Sequence, residues 1–78
     1  MTRRERLIAR IRARPPEADA RNVIALLEEF GWSLDRQSGS HMIFKKAGEE
    51  LFSIPLVSGR KVKRVYLDRV CKRLGLDD

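Results

Sequence analysis

The stretch Trp32-Ser33-Leu34-Asp35-Arg36-Gln37-Ser38-Gly39-Ser40-His41-Met42-Ile43-Phe44-Lys45-Lys46 decides the fold. Trp32, Leu34 and Arg36 alternate with Ser33, Asp35 and Gln37, the period of a strand over Trp32 to Gln37. Ser38-Gly39 supplies a tight turn. A second strand runs from about Ser40 to Lys46, with Met42 and Phe44 on one face and His41, Ile43 and Lys45 on the other. With the larger apolar pair turned to a core, His41 and Lys45 share the open face. Ala47-Gly48-Glu49 turns the chain again, and Glu50 to Ile54 makes a third strand ended by Pro55. Connections this short favour an antiparallel meander.

Helical patterns flank the meander. Upstream, Val23, Leu26, Leu27 and Phe30 fall at i, i+3, i+4 and i+7, with Asp19 or Asn22 as the N-cap and Gly31 as the stop. Downstream, past an irregular stretch from Leu56 to Gly59, the last helix starts between Lys61 and Val65 and continues to about Leu74. It is built on Leu67, Val70, Cys71 and Leu74, with Gly75 just beyond. At the N-terminus, Thr2 caps a helix from Arg3 to about Arg14, with Leu7, Ile8 and Ile11 as a narrow apolar stripe, and Pro15-Pro16 ends it. The order helix–helix–strand–strand–strand–helix predicts an α+β fold: a three-stranded antiparallel sheet with its helices on one face. The other sheet face is left open to a partner.

Seventy-eight residues allow one domain with a small core. No apolar run approaches the roughly 18–20 residues of a membrane span. One cysteine excludes an internal disulfide, and one histidine with one cysteine cannot build a structural zinc site, so a reducing cytoplasm is the expected location. The net charge of +6 is unevenly placed. Residues 1–14 carry +5, residues 15–31 carry −3, residues 32–58 balance, and residues 59–78 carry +4. Cations at both ends of so small a body point to a polyanionic partner.

Four features bear on chemistry. His41, the single histidine, starts a strand after a glycine turn, at a solvent edge; on spacing alone an ordinary surface histidine is the commoner reading. Ser40 does not make a hydrolase with it, because neighbouring strand residues point to opposite faces. Arg60, Lys61, Lys63 and Arg64 crowd the N-terminal end of the last helix, where the macrodipole disfavours cations, so they read either as a phosphate site or as a solvated basic face. The arginines of the first helix leave three readings open: a nucleic-acid arm, a docking segment for an acidic protein, or a solubilising appendage. Trp32 and Tyr66 read as core or core-edge aromatics, and Cys71 as a small buried hydrophobe.

From about Val23 to Leu76 the chain resembles the HicA-type toxins, small mRNA interferases of bacterial and archaeal toxin–antitoxin pairs. The matching pieces are the helix ending Phe30-Gly31-Trp32, the Arg36…Gly39-Ser40-His41 turn and strand, Ile54-Pro55, and Gly59-Arg60-Lys61-Val62-Lys63-Arg64…Leu67…Val70…Leu74-Gly75-Leu76. The resemblance implies a double-stranded-RNA-binding-domain-like fold, α-β-β-β-α over residues 17–78, with residues 1–16 as a basic helical extension. It also implies a catalytic His41 and a neutralising antitoxin of the HicB type. Two departures stand out: positions where family members often carry further histidines read Met42, Ile43, Leu56 and Val57, and the last helix opens with Val65-Tyr66 in place of small residues.

The expectation is a metal-independent endoribonuclease without cofactors, acting on mRNA. His41 would be the general acid/base, with Lys45, Arg60, Lys61, Lys63 and Arg64 neutralising phosphate. The alternative is a non-catalytic RNA-binding module of the same fold.

Overall fold

The computed structural model describes residues 1–77. It contains α1 (Arg3–Arg12), β1 (Glu17–Asp19), α2 (Ala20–Glu29), β2 (Ser33–Ser38), β3 (His41–Lys45), β4 (Phe52–Pro55), β5 (Lys61–Lys63) and α3 (Arg64–Arg73). The antiparallel sheet β2-β3-β4 and the three helices are those expected from the residue pattern, an α+β fold. β1 and β5 were not expected. They form a separate two-stranded antiparallel ladder, Glu17 opposite Lys63, Ala18 opposite Val62 and Asp19 opposite Lys61. A backbone bridge from Val57 to Lys61 leads into it, so part of the stretch read as irregular is a hairpin.

Local chemistry sets the helix ends. Thr2 and Glu5 form a capping box at α1: Thr2 Oγ1 accepts from Glu5 N at 3.1 Å, and Thr2 N donates to Glu5 Oε1 at 2.9 Å. α1 stops at Arg12, two residues short of the expected end. The residue before a proline avoids the right-handed region, and Arg14 takes φ 51°. Asp19 is the N-cap of α2, accepting from Arg21 N at 2.8 Å. α2 ends in a Schellman motif, with Trp32 N donating to Leu27 O and Gly31 N to Glu28 O. Trp32 is thereby drawn off the strand into the core, and β2 begins one residue later than expected.

Gly31 holds φ 91°, and a Cβ there would meet Lys46 Cε at 3.3 Å, where that side chain reaches over to donate from Nζ to Phe30 O. Gly31→Ala is therefore expected to cost about 1–2 kcal/mol and to lower the melting temperature by roughly 5–10 °C in thermal denaturation.

One core joins all the layers. Met42, Phe44 and Ile54 from the sheet meet Val23, Leu26 and Leu27 of α2, Leu67, Val70 and Cys71 of α3, and Val62 of β5. α1 contributes Leu7 and Ile11 to the same core, with Ile8 half-buried beside them. Cys71 is buried as expected, and desolvation pushes its thiol up, away from the reactive thiolate form.

Charges tie α1 to its neighbours. Arg4 donates to Glu29 O at 3.2 Å and lies 4.4 Å over the Phe30 ring, satisfying the C-terminal end of α2. Arg14 Nε donates to Asp68 Oδ1 at 3.1 Å, and its guanidinium also pairs with Asp77. A hydrogen bond from Lys72, supported by Arg14, holds the Asp68 carboxyl below the usual carboxylate range against the opposing effect of desolvation. A carboxyl depressed in the folded state contributes stability above its unfolded pKa of about 4 and loses it as pH falls. Melting temperature measured from pH 6 to pH 3 should therefore fall less steeply in Asp68→Asn than in the intact chain.

Candidate functional site

The turn that presents His41 is Gly39-Ser40, one residue later than expected, because Ser38 pairs with His41 and leaves only these two between the strands. Gly39 has φ 60°, as the first central residue of a type II′ hairpin turn requires. His41 is exposed, Met42 and Phe44 are buried, and Ile43 is half-buried, so the period-2 reading of β3 holds and His41 lies on the open face. Leu56 N donates to Ser40 O at 2.6 Å, and His41 pairs with Pro55 of β4, which pins both sides of the histidine's backbone. Met42 fills the core, so a histidine at that position would not share the face of His41.

A β-bulge between Leu34 and Arg36 revises the reading of β2. Strict alternation would put Arg36 on the face of Leu34. With the bulge, Leu34 pairs with Phe44 whereas Arg36 pairs with Ile43 and Ser38 with His41. Arg36 is thus a diagonal neighbour of His41, about 7–8 Å away between Cα atoms, on the open face. Its guanidinium donates to Asp35 Oδ2 at 2.6 Å. Strict alternation concealed this cation. The signal that does point to it is Asp35, a residue depleted in strands, in the middle of one.

The five expected phosphate contacts are not gathered at one point. Lys45 shares the open face with His41 but stands four residues along β3, about 13 Å away, and its Nζ lies 3.3 Å from Asp35 Oδ1. On β5, Val62 is fully buried, so Lys61 and Lys63 project from the other side of the ladder. Arg60 precedes them in the hairpin loop. Arg64 is engaged elsewhere, its Nε donating to Arg14 O at 2.8 Å, while its backbone N–H donates to Pro16 O at 3.1 Å. The β5 hairpin is nonetheless close to the histidine. Pro55 is one strand spacing from His41, Val57 is two residues further, and Lys61 is bridged to Val57, a backbone path of about 16 Å. Arg60, Lys61 and Lys63 carry no ion pair among the described residues.

Among the described residues no group of three or more His, Cys, Asp or Glu side chains comes together, and no helix is long and apolar enough to cross a membrane. Trp32 is buried. Tyr66 is half-buried with the Arg69 guanidinium 5.3 Å from its ring.

The chain is thus a small α+β domain that shows a lone histidine on an open sheet face, with cations on the same face and on an adjoining hairpin. Comparison with known families finds that a model described as the HicA toxin of bacterial toxin–antitoxin systems matches residues 20–76, well over half of the chain. The chain belongs to the HicA toxin family, which is known for mRNA interferases and implies an antitoxin as its partner. Comparison with curated proteins and with solved structures returned no match.

Proposed function

We propose that this chain is a cytoplasmic endoribonuclease that cleaves mRNA without a metal ion, through His41, and that a HicB-type antitoxin restrains it. The observation that carries the reading is the placement of His41. It is exposed on the open sheet face, its backbone is fixed by the Gly39-Ser40 turn and by pairing to Pro55, and Arg36 stands diagonally across from it.

RNA carries its own nucleophile. Neutral imidazole takes the proton of the ribose 2′-OH, and the 2′-oxygen attacks the adjacent phosphorus. The bond from phosphorus to the 5′-oxygen breaks, and that oxygen acquires a proton from water or a lysine. A lone histidine that has acted as base returns to its neutral form by giving its proton back to solvent. Negative charge gathers on the phosphoryl oxygens during attack, and a guanidinium close by stabilises it. Arg36 is the cation best placed for this. Lys45 and the cations Arg60, Lys61 and Lys63 hold phosphates farther along the strand, and Arg64 supports that hairpin through its bond to Arg14 O.

The mechanism depends on the 2′-OH. Purified protein is expected to cut single-stranded RNA, to leave DNA of the same sequence intact, and to be insensitive to EDTA; cleavage of both polymers would contradict the assignment. RNA that is bound and left intact would support the non-catalytic module instead.

A further inference from the structure

Six arginines lie in residues 1–14, and the fold uses only two of them as ties: Arg4 at the end of α2, and Arg14 on Asp68 and Asp77. Arg3, Arg6 and Arg10 recur at i, i+3 and i+7 and so share one flank of α1. All three are exposed, and none has an ion-pair partner among the described residues. Arg12 lies on the opposite flank. The row spans about 10 Å of helix. Its C-terminal member, Arg10, lines a surface cleft of about 380 Å³ together with Lys61 of the β5 hairpin. Glu17 and Asp19 also line this cleft, but Asp19 is already engaged by the amide and guanidinium of Arg21.

We propose that Arg3, Arg6 and Arg10 extend the Lys61 hairpin into a continuous cationic track along which single-stranded RNA is held outside the site of cleavage. The inference rests on the reading of the chain as an RNA-acting toxin, and it concerns a helix that lies outside the matched residues 20–76. Two observations favour RNA over an acidic protein. The track joins the β5 hairpin, whose Lys61 is linked to His41 through Val57 and Pro55, so one polymer can occupy both. It also lacks the apolar anchors on which protein interfaces depend: the exposed large apolar residues Leu34, Leu51 and Val65 lie elsewhere, and Met1 precedes the helix. A row of unpaired cations without anchors suits a backbone of phosphates, bound in a salt-dependent way.

The test measures binding of the intact chain, across a salt series, to 2′-O-methylated oligonucleotides that cannot be cut. One is about 16 nucleotides long and one about 4, the span of site sizes seen for single-strand binders. Each phosphate contact on single strands contributes about 0.7 to the slope of log K against log salt. The Arg3→Gln/Arg6→Gln/Arg10→Gln variant should lose about 2 units of slope and on the order of 10–100-fold in affinity at 0.1 M salt for the longer oligonucleotide, and little for the shorter. Arg12→Gln should change neither, and circular dichroism should show both variants folded, since none of these side chains is buried.

An unchanged slope in the triple variant would overturn the track. So would an equal loss per charge in Arg12→Gln. Failure of the intact chain to bind either oligonucleotide would overturn the track and the proposed function together. Binding that follows the expected pattern in a chain that never cuts RNA would leave the track standing and remove only the cleavage.

Discussion

Replacing His41 with alanine should lower RNA cleavage by about 10²–10⁴-fold, the range a positioned general acid or base supplies. His41 is exposed and contributes nothing to the core, so the variant should melt within a few degrees of the intact chain. Growth arrest on expression should disappear with the cleavage. Imidazole is the side chain that titrates closest to neutrality, and no second histidine is present to share the proton transfers. Arg36→Gln should give an intermediate loss, with KM less affected than kcat if the guanidinium acts mainly on the charge that develops during attack. Cleavage by His41→Ala at the rate of the intact chain would remove the histidine from the mechanism.

The second large effect falls on stability. Ile11 is fully buried where α1 meets α3, and its carbonyl lies 3.9 Å from Cys71 Sγ. Ile11→Ala removes packed methylenes and leaves a cavity, at a cost of about 2–5 kcal/mol. A domain of this size has only about 5–15 kcal/mol in all, so the melting temperature should fall by tens of degrees. Ile8→Ala, at a half-buried position beside it, should cost much less. If Ile11→Ala melted close to the intact chain, α1 would be a separable extension; the large loss expected here makes it part of the folding unit.

Much of the fold was legible in the residue order because it rests on strong local signals. Thr2, Asp19, Gly31 and Gly75 mark helix ends by capping chemistry that short segments carry on their own. The alternation around His41 likewise fixes which side chains of β3 meet the core, and that sufficed to place the histidine on the open face. What escaped was non-local. β1 and β5 are three residues each, too short for any period to show, and they exist only because Val62 and Ala18 are buried together. The bulge at Asp35 breaks the alternation it would be read from, which hid Arg36. Charge alone placed Arg64 in the phosphate cluster, whereas the fold uses it to tie the start of α3 to Arg14.

The chemical ends of the cut RNA test the mechanism most directly. Attack by the ribose 2′-oxygen leaves a 2′,3′-cyclic phosphate, or the monophosphate derived from it, on the upstream fragment and a 5′-hydroxyl on the downstream one. Mass spectrometry of an oligonucleotide cut by the intact chain in EDTA should find those ends and no cut product with His41→Ala. A 3′-hydroxyl with a 5′-phosphate would mean attack by water, and would contradict the role assigned to His41.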